Sequence, residues 1–286
     1  MSTSPEDEQS QIAPQESHEA HPSLEEIVQE AGLRLEDLDP EVVLRLQLLH
    51  EKSPTLVDEY HALQMEKKLF GYYAEKEPAR AYSEGERRTI EVGTLFTDIG
   101  KTGPKAARRE TQECITEIFG IDKNIDPQTP VLKFLEEHFP EDHPQRVVLL
   151  GEAGVKPDMT MRQFWNMHSG WTLEIVSAGG IPPEAIPAAA LHHMVEGMNP
   201  QGILGEDDRF TRYYGENVAF DRAEKMVIML DKYDAARRRG SKTHEEAIAY
   251  LRTHLGNNTH FKDDEEFLKL IDDIAVVLKD HPGYAN

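Results

Sequence analysis

At 286 residues the chain is near the upper limit for a single hydrophobic core, so one domain with extensions and two closely packed helical units both fit. Its net charge of -22 disfavours general binding to nucleic-acid backbones or anionic membranes. A single cysteine, Cys114, excludes an internal disulfide, and no apolar run approaches the roughly 20 residues of a membrane span, so a soluble cytoplasmic protein is expected.

Residues 1–22 are rich in Ser, Glu, Gln and Pro and have little to bury, which is the composition of a disordered acidic leader. The leader is also the natural place for a protein partner to bind. Within residues 1–40 there are 11 acidic residues and one arginine, so much of the excess charge lies here. Ser23 followed by Glu26 forms a capping box and predicts a short helix. Val42, Val43, Leu46 and Leu49 recur at helical spacing up to Pro54, with Leu44 and Leu48 widening the apolar face. Residues 23–54 are therefore expected to be an added helical cap before a main domain over 55–286.

Helices are predicted over 56–76, 84–98, 107–119, 129–139, 159–178, 183–195, 219–238, 243–255 and 263–280, separated by Gly, Pro and Asp/Asn turns. The apolar stretch Val147-Val148-Leu149-Leu150 fits a short strand or a buried turn equally well. The expected fold class is all-α.

Four segments carry residue types that do chemistry. Leu95-Phe96-Thr97-Asp98-Ile99-Gly100-Lys101 ends an apolar helix on an acid that can face a pocket. Met167-His168-Ser169-Gly170-Trp171 places a histidine on a helix. Leu191-His192-His193-Met194-Val195-Glu196-Gly197 pairs two histidines after an apolar run. Adjacent side chains on a helix diverge by about 100°, so the pair reaches one point only near the helix end, where Gly197 and Pro200 put it. In Arg222–Ala235, Asp231 and Asp234 share a face with Val227, and either can turn inward.

In this order the segments resemble the HD-GYP branch of the HD-domain metal-dependent phosphohydrolases, over about residues 55 to 255. The resemblance implies an HD-domain-like helical bundle and one or two divalent ions of Fe, Mn or Zn. The implied ligands are His61, Asp98, His168, His192, His193 and Asp231, with Asp234 in support. Asp98 and Lys101 would serve catalysis, and Arg237, Arg238 and Lys242 would meet substrate phosphate. The expected activity is hydrolysis of a phosphodiester, such as a cyclic dinucleotide or another nucleotide, by metal-activated water. Cyclic di-GMP is the family's example.

Two departures bear on that expectation. Thr97 stands where the family has the histidine of its His-Asp pair, and a hydroxyl is a poor ligand beside imidazole. The Gly-Tyr-Pro segment is replaced by Gly197-Met198-Asn199-Pro200. The second ion's set (Asp98, His168, His192, His193) is complete, whereas the first ion's set is not. A degenerate relative that binds metal, nucleotide or protein without turnover is the alternative.

Overall fold

The computed structural model describes residues 21–121, 125–205, 211–212, 218–219 and 221–281; most of the acidic leader lies outside them. The described chain is mainly helical. Ser23 caps α1 (Leu24–Glu30) as its pattern predicts: Glu26 N donates to Ser23 Oγ at 3.3 Å, and Ser23 N donates to Glu26 Oε2 at 2.7 Å. Asp39 and Pro40 start α2 (Pro40–Lys52), which buries Val42, Leu46 and Leu49 and leaves Leu44 exposed.

This N-terminal pair does more than cap the bundle. Arg45 of α2 is fully buried, is paired with Glu41 at 3.0 Å and donates to Thr102 Oγ1 at 2.8 Å. It also donates to the carbonyls of Gly103, Pro104 and Lys105 at 3.0–3.2 Å. A guanidinium offers five donors in a rigid fork, so this one residue pins the loop that follows Asp98.

The long α3 (Thr55–Lys76) packs against α4 (Glu84–Phe96), which starts at a second capping box on Ser83. After Thr97 and Asp98 the chain makes a 3₁₀ turn, Ile99–Thr102. The peripheral lobe comprises α5 (Arg109–Phe119), α6 (Val131–His138), α7 (His143–Glu152) and the start of α8 (Met161–Val176). Its own core includes Ile115, Phe134 and Phe164.

Val147–Leu150, expected as a strand or buried turn, is the middle of α7. Leu149 and Leu150 face the lobe's core while Val148 is 63% exposed, so four apolar residues in a row span more than one helix face.

The main bundle closes with α9 (Ala185–Ala190), α10 (Arg222–Arg238), α11 (His244–Gly256) and α12 (Glu265–Val277). Every residue of α9 is buried, and the helix ends at Ala190 rather than 195. Between α9 and α10 a two-residue antiparallel ladder pairs β1 (Thr211–Arg212) with β2 (Val218–Ala219). No helix in the described residues is long and apolar enough to cross a membrane.

Two close approaches set where the chemistry sits. A Cβ on Gly93 of α4 would lie 2.6 Å from Ala188 Cβ of α9, so the glycine lets these helices touch. At Gly100 a Cβ would lie 2.0 Å from the carbonyl oxygen of His168. Gly100 N donates to Thr172 Oγ1 at 3.1 Å, and that hydroxyl donates to Thr97 O at 2.9 Å. The turn carrying Asp98 is thereby fastened to α8 one helical turn from His168.

Candidate metal centre and cleft

His168 on α8, His192 and His193 just past α9, and Asp98 just past α4 converge. The ligand-capable atoms of the three histidines lie within 4.8 Å of one another. His168 Nε2 and His192 Nε2 are 3.0 Å apart, and Asp98 Oδ1 is 3.3 Å from the first and 3.7 Å from the second. Tetrahedral ligands bonded to zinc at about 2.0–2.1 Å sit roughly 3.3 Å from one another, so the spacing suits one ion.

The hydrogen bonds strengthen the fit. His168 Nδ1 faces the Trp165 carbonyl, and His192 Nδ1 lies 2.6 Å from the Ala189 carbonyl. A carbonyl only accepts, so each Nδ1 carries the hydrogen, and in the neutral ring each Nε2 presents a lone pair. Two lone pairs and a carboxylate oxygen then point at one spot, an arrangement that repels itself unless a cation or a proton lies between. Burial and the neighbouring His168 push the His192 imidazole down to about 4, so His192 itself is neutral near pH 7. His193 Nδ1 pairs with Glu196, the carboxylate–histidine arrangement that orients a ligating ring.

The remaining expected groups divide. Asp231 lines the cleft beside the centre; burial would raise its carboxyl, but Lys232, His193 and His192 hold it down at about 2. Lys232 is almost fully buried and donates to Asp231 Oδ2 at 2.8 Å, its ammonium pairs with Glu196 Oε2 at 3.2 Å, and its Nζ lies 2.7 Å from His193 Nδ1. Lys101 pairs with Asp98. Against the cost of burial, Lys101, His168 and His192 keep the Asp98 carboxyl well below the ordinary carboxylate range.

His61 is not among the residues that line this region. It is half-buried on α3, edge-on to Tyr60, and its charge is felt by His281. The face of α3 that meets the site carries Asp58, Glu59 and Ala62 instead, and one residue along a helix turns a side chain by about 100°. Together with Thr97, Asp98, Asp231, Asp234 and Arg239 these residues surround a hollow of about 10 Å³, the size of one water. Thr97 is buried and donates its hydroxyl to Thr94 O at 3.0 Å.

Cationic side chains of the chain already balance the acids of this hollow. Arg238 pairs with Asp58 at 2.5 Å and with Asp234, Lys101 pairs with Asp98, and Lys232 pairs with Asp231. Among the described residues Glu59 has no such partner; burial first, then the charges of Asp98 and Asp231, push its carboxyl well above the usual range. Arg239 lines the hollow as well. Burial would lower its guanidinium, but Asp231, Asp98, Asp58 and Asp234 more than offset this and hold it raised.

Of the basic residues expected at phosphate, Arg238 lines the cleft and Arg237 does not; Arg237 acts on Tyr233 and His281. The Lys242 ammonium sits 6.0 Å from the Tyr250 ring centroid. Arg239, which the sequence reading passed over, is the cleft's other arginine on this side. Its neighbours in the run Arg237-Arg238-Arg239 look identical in sequence, and only the rotation about α10 separates them.

The cleft above the centre has a volume of about 780 Å³, within the roughly 300–1,000 Å³ of small-ligand sites. Its lining includes Asp98, Lys101, His168 and Arg239 as well as Phe119 and Trp165.

Comparison with protein-family models, curated proteins and solved structures gives no match.

Proposed function

We propose that the chain is an HD-GYP-like phosphohydrolase working with one divalent transition metal, Fe, Mn or Zn, held by His168, His192, His193 and Asp98. The observation that carries this reading is the convergence of two buried imidazole Nε2 atoms with Asp98 Oδ1 at cation spacing. Such an ion supplies a water of lowered pKa and positive charge beside a phosphoryl group. Glu196 orients His193, and the carbonyls of Trp165 and Ala189 orient the other two rings. Arg239, at the cleft wall, offers forked donors to phosphate oxygens, whereas the fork of Arg238 is taken by Asp58 and Asp234, and Lys101 holds Asp98 ionised.

The first ion's place is taken by the chain itself. Thr97 offers no imidazole, His61 lies elsewhere, and Lys101, Lys232 and Arg238 already neutralise the acids that a second ion would need.

The same substitutions favour a second reading, in which the site binds a phosphate ester without turning it over. Metal analysis comes first: about one transition ion per chain, lost in the double variant His192→Ala, His193→Ala. Turnover of a generic phosphodiester and of cyclic dinucleotides, with Asp98→Ala as control, then separates the two readings. A stable protein that takes up no transition metal removes both.

A further inference from the structure

We propose that Arg45 of α2, which lies outside the residues 55–255 where the family resemblance runs, is a positioning residue for the metal centre. It sets the Asp98 carboxylate through the turn that follows it. The inference rests on the metal reading above and adds a residue that does not itself line the cleft.

Arg45 is fully buried, and its carboxylate partner Glu41 is about half exposed. Burial lowers the guanidinium below its ordinary value even with Glu41 alongside, so the charge is held at a cost. The helix already packs through Val42, Leu46 and Leu49. Replacing a buried ion pair by apolar side chains of similar volume is often neutral or stabilising, so packing alone gives no reason for a charge here. What the guanidinium supplies is direction. Its donors fall on Thr102 Oγ1 and on the carbonyls of Gly103, Pro104 and Lys105, four consecutive residues. A rigid fork spread over four consecutive residues fixes the path of the backbone, which an apolar contact would leave free to shift.

The path from this fork to the ion is short. Thr102, also fully buried, accepts from Arg45 at 2.8 Å and donates to the Ile99 carbonyl at 2.7 Å, and Ile99 directly follows Asp98. Lys101 N donates to Asp98 O at 2.9 Å and closes the same turn. Asp98 Oδ1 is the oxygen that faces His168 Nε2 and His192 Nε2. The turn is tied separately to α8 through Gly100 and Thr172. One anchor would leave the turn a pivot, and the second, at Thr102, removes it. Ligand groups must be held to about 0.5 Å for a site to keep its geometry, and losing the partners that orient them typically costs about 10–100-fold in metal affinity.

The test compares Arg45→Met with Arg222→Met in the full chain after a chelator has stripped it of metal. Arg222 is a matched control: it pairs with Glu86 at 2.7 Å and donates to the consecutive carbonyls of Arg80 and Ala81, but that loop precedes α4 and Arg222 does not line the cleft. Competition with a chromophoric chelator reads Zn²⁺ affinity, the visible bands of bound Co²⁺ read ligand geometry, and denaturant unfolding reads stability. Arg45→Met is expected to weaken Zn²⁺ binding at least about tenfold and to alter the Co²⁺ bands. Arg222→Met is expected to lose stability with Zn²⁺ affinity and Co²⁺ bands unchanged. If Arg45→Met does not fold, Arg45→Lys carries the test: it keeps the charge and the stem but replaces the fork by a point charge, and the same loss is expected. Wild-type affinity and bands in the Arg45 variant, or an equal loss in Arg222→Met, would overturn the positioning role and leave the metal reading standing. A wild-type chain that takes up no metal overturns both.

Discussion

Removing one imidazole should erase the protein's response to metal while its helices persist. His168 Nε2, His192 Nε2 and Asp98 Oδ1 lie 3.0 to 3.7 Å apart, so an ion fits among them with little rearrangement. At a free concentration about 100 times its dissociation constant, a ligand that binds only the folded state adds about 2.7 kcal/mol. For a chain of this length each kcal/mol raises Tm by about 2–4 °C, so chelator-stripped protein should gain on the order of 5–10 °C with Zn²⁺ or Mn²⁺. In His192→Ala the gain should vanish. In His61→Ala it should persist, because His61 lies outside the cleft. Thermal unfolding monitored by circular dichroism, with metal content measured on the same samples, reads all three. A wild-type protein indifferent to metal, or a His192→Ala variant that responds as fully as wild type, would refute the lone-pair argument.

Thr97→His should not create a second ion site: the adjoining hollow holds about one water, so the larger ring overpacks it and lowers stability by about 1–3 kcal/mol, with metal still near one per chain. Lys232→Met leaves the partly buried Asp231 without its ammonium and should cost about 1–3 kcal/mol in denaturant unfolding. Gly100→Ala drives a methyl into the His168 carbonyl, so it should weaken both stability and metal affinity. Burial pushes the Glu66 carboxyl from 4.5 to about 8, with Thr94 as its hydroxyl partner. The folded chain keeps this proton while the unfolded chain releases it above pH 4.5. Stability is therefore full below that pH and falls progressively up to about pH 8, by at most on the order of 5 kcal/mol. Glu66→Gln should flatten the dependence and stabilise the protein at pH 8, which a denaturant series across pH 5–8 will show.

The element pattern was largely local and therefore readable in the chain. Ser23, Ser83, Thr160 and Thr243 each begin a helix through a capping box that needs only residues three apart. The histidine pair was legible for a related reason: six buried residues lead up to it, and Gly197, at a φ of +84°, turns the chain away just after. The α7 helix was misread because an unbroken apolar tetrapeptide has no period from which to tell a helix from a strand.

Residue type and local helix geometry, properties of short segments, could nominate Asp98, His168, His192, His193 and either Asp231 or Asp234 as chemistry-bearing residues, and only the family resemblance singled out Asp231. The sequence could not say that Asp58 and Glu59 rather than His61 face the hollow, that Lys232 meets Asp231, or that Arg239 rather than Arg237 reaches the cleft. Each of those outcomes depends on the rotation of one packed helix against another, set by contacts such as Gly93 on Ala188 and Gly100 on His168 between residues 68 to 95 positions apart. A helix turns 100° per residue, so a single step of that rotation exchanges the groups that meet at a site, and only the packed tertiary structure selects the step.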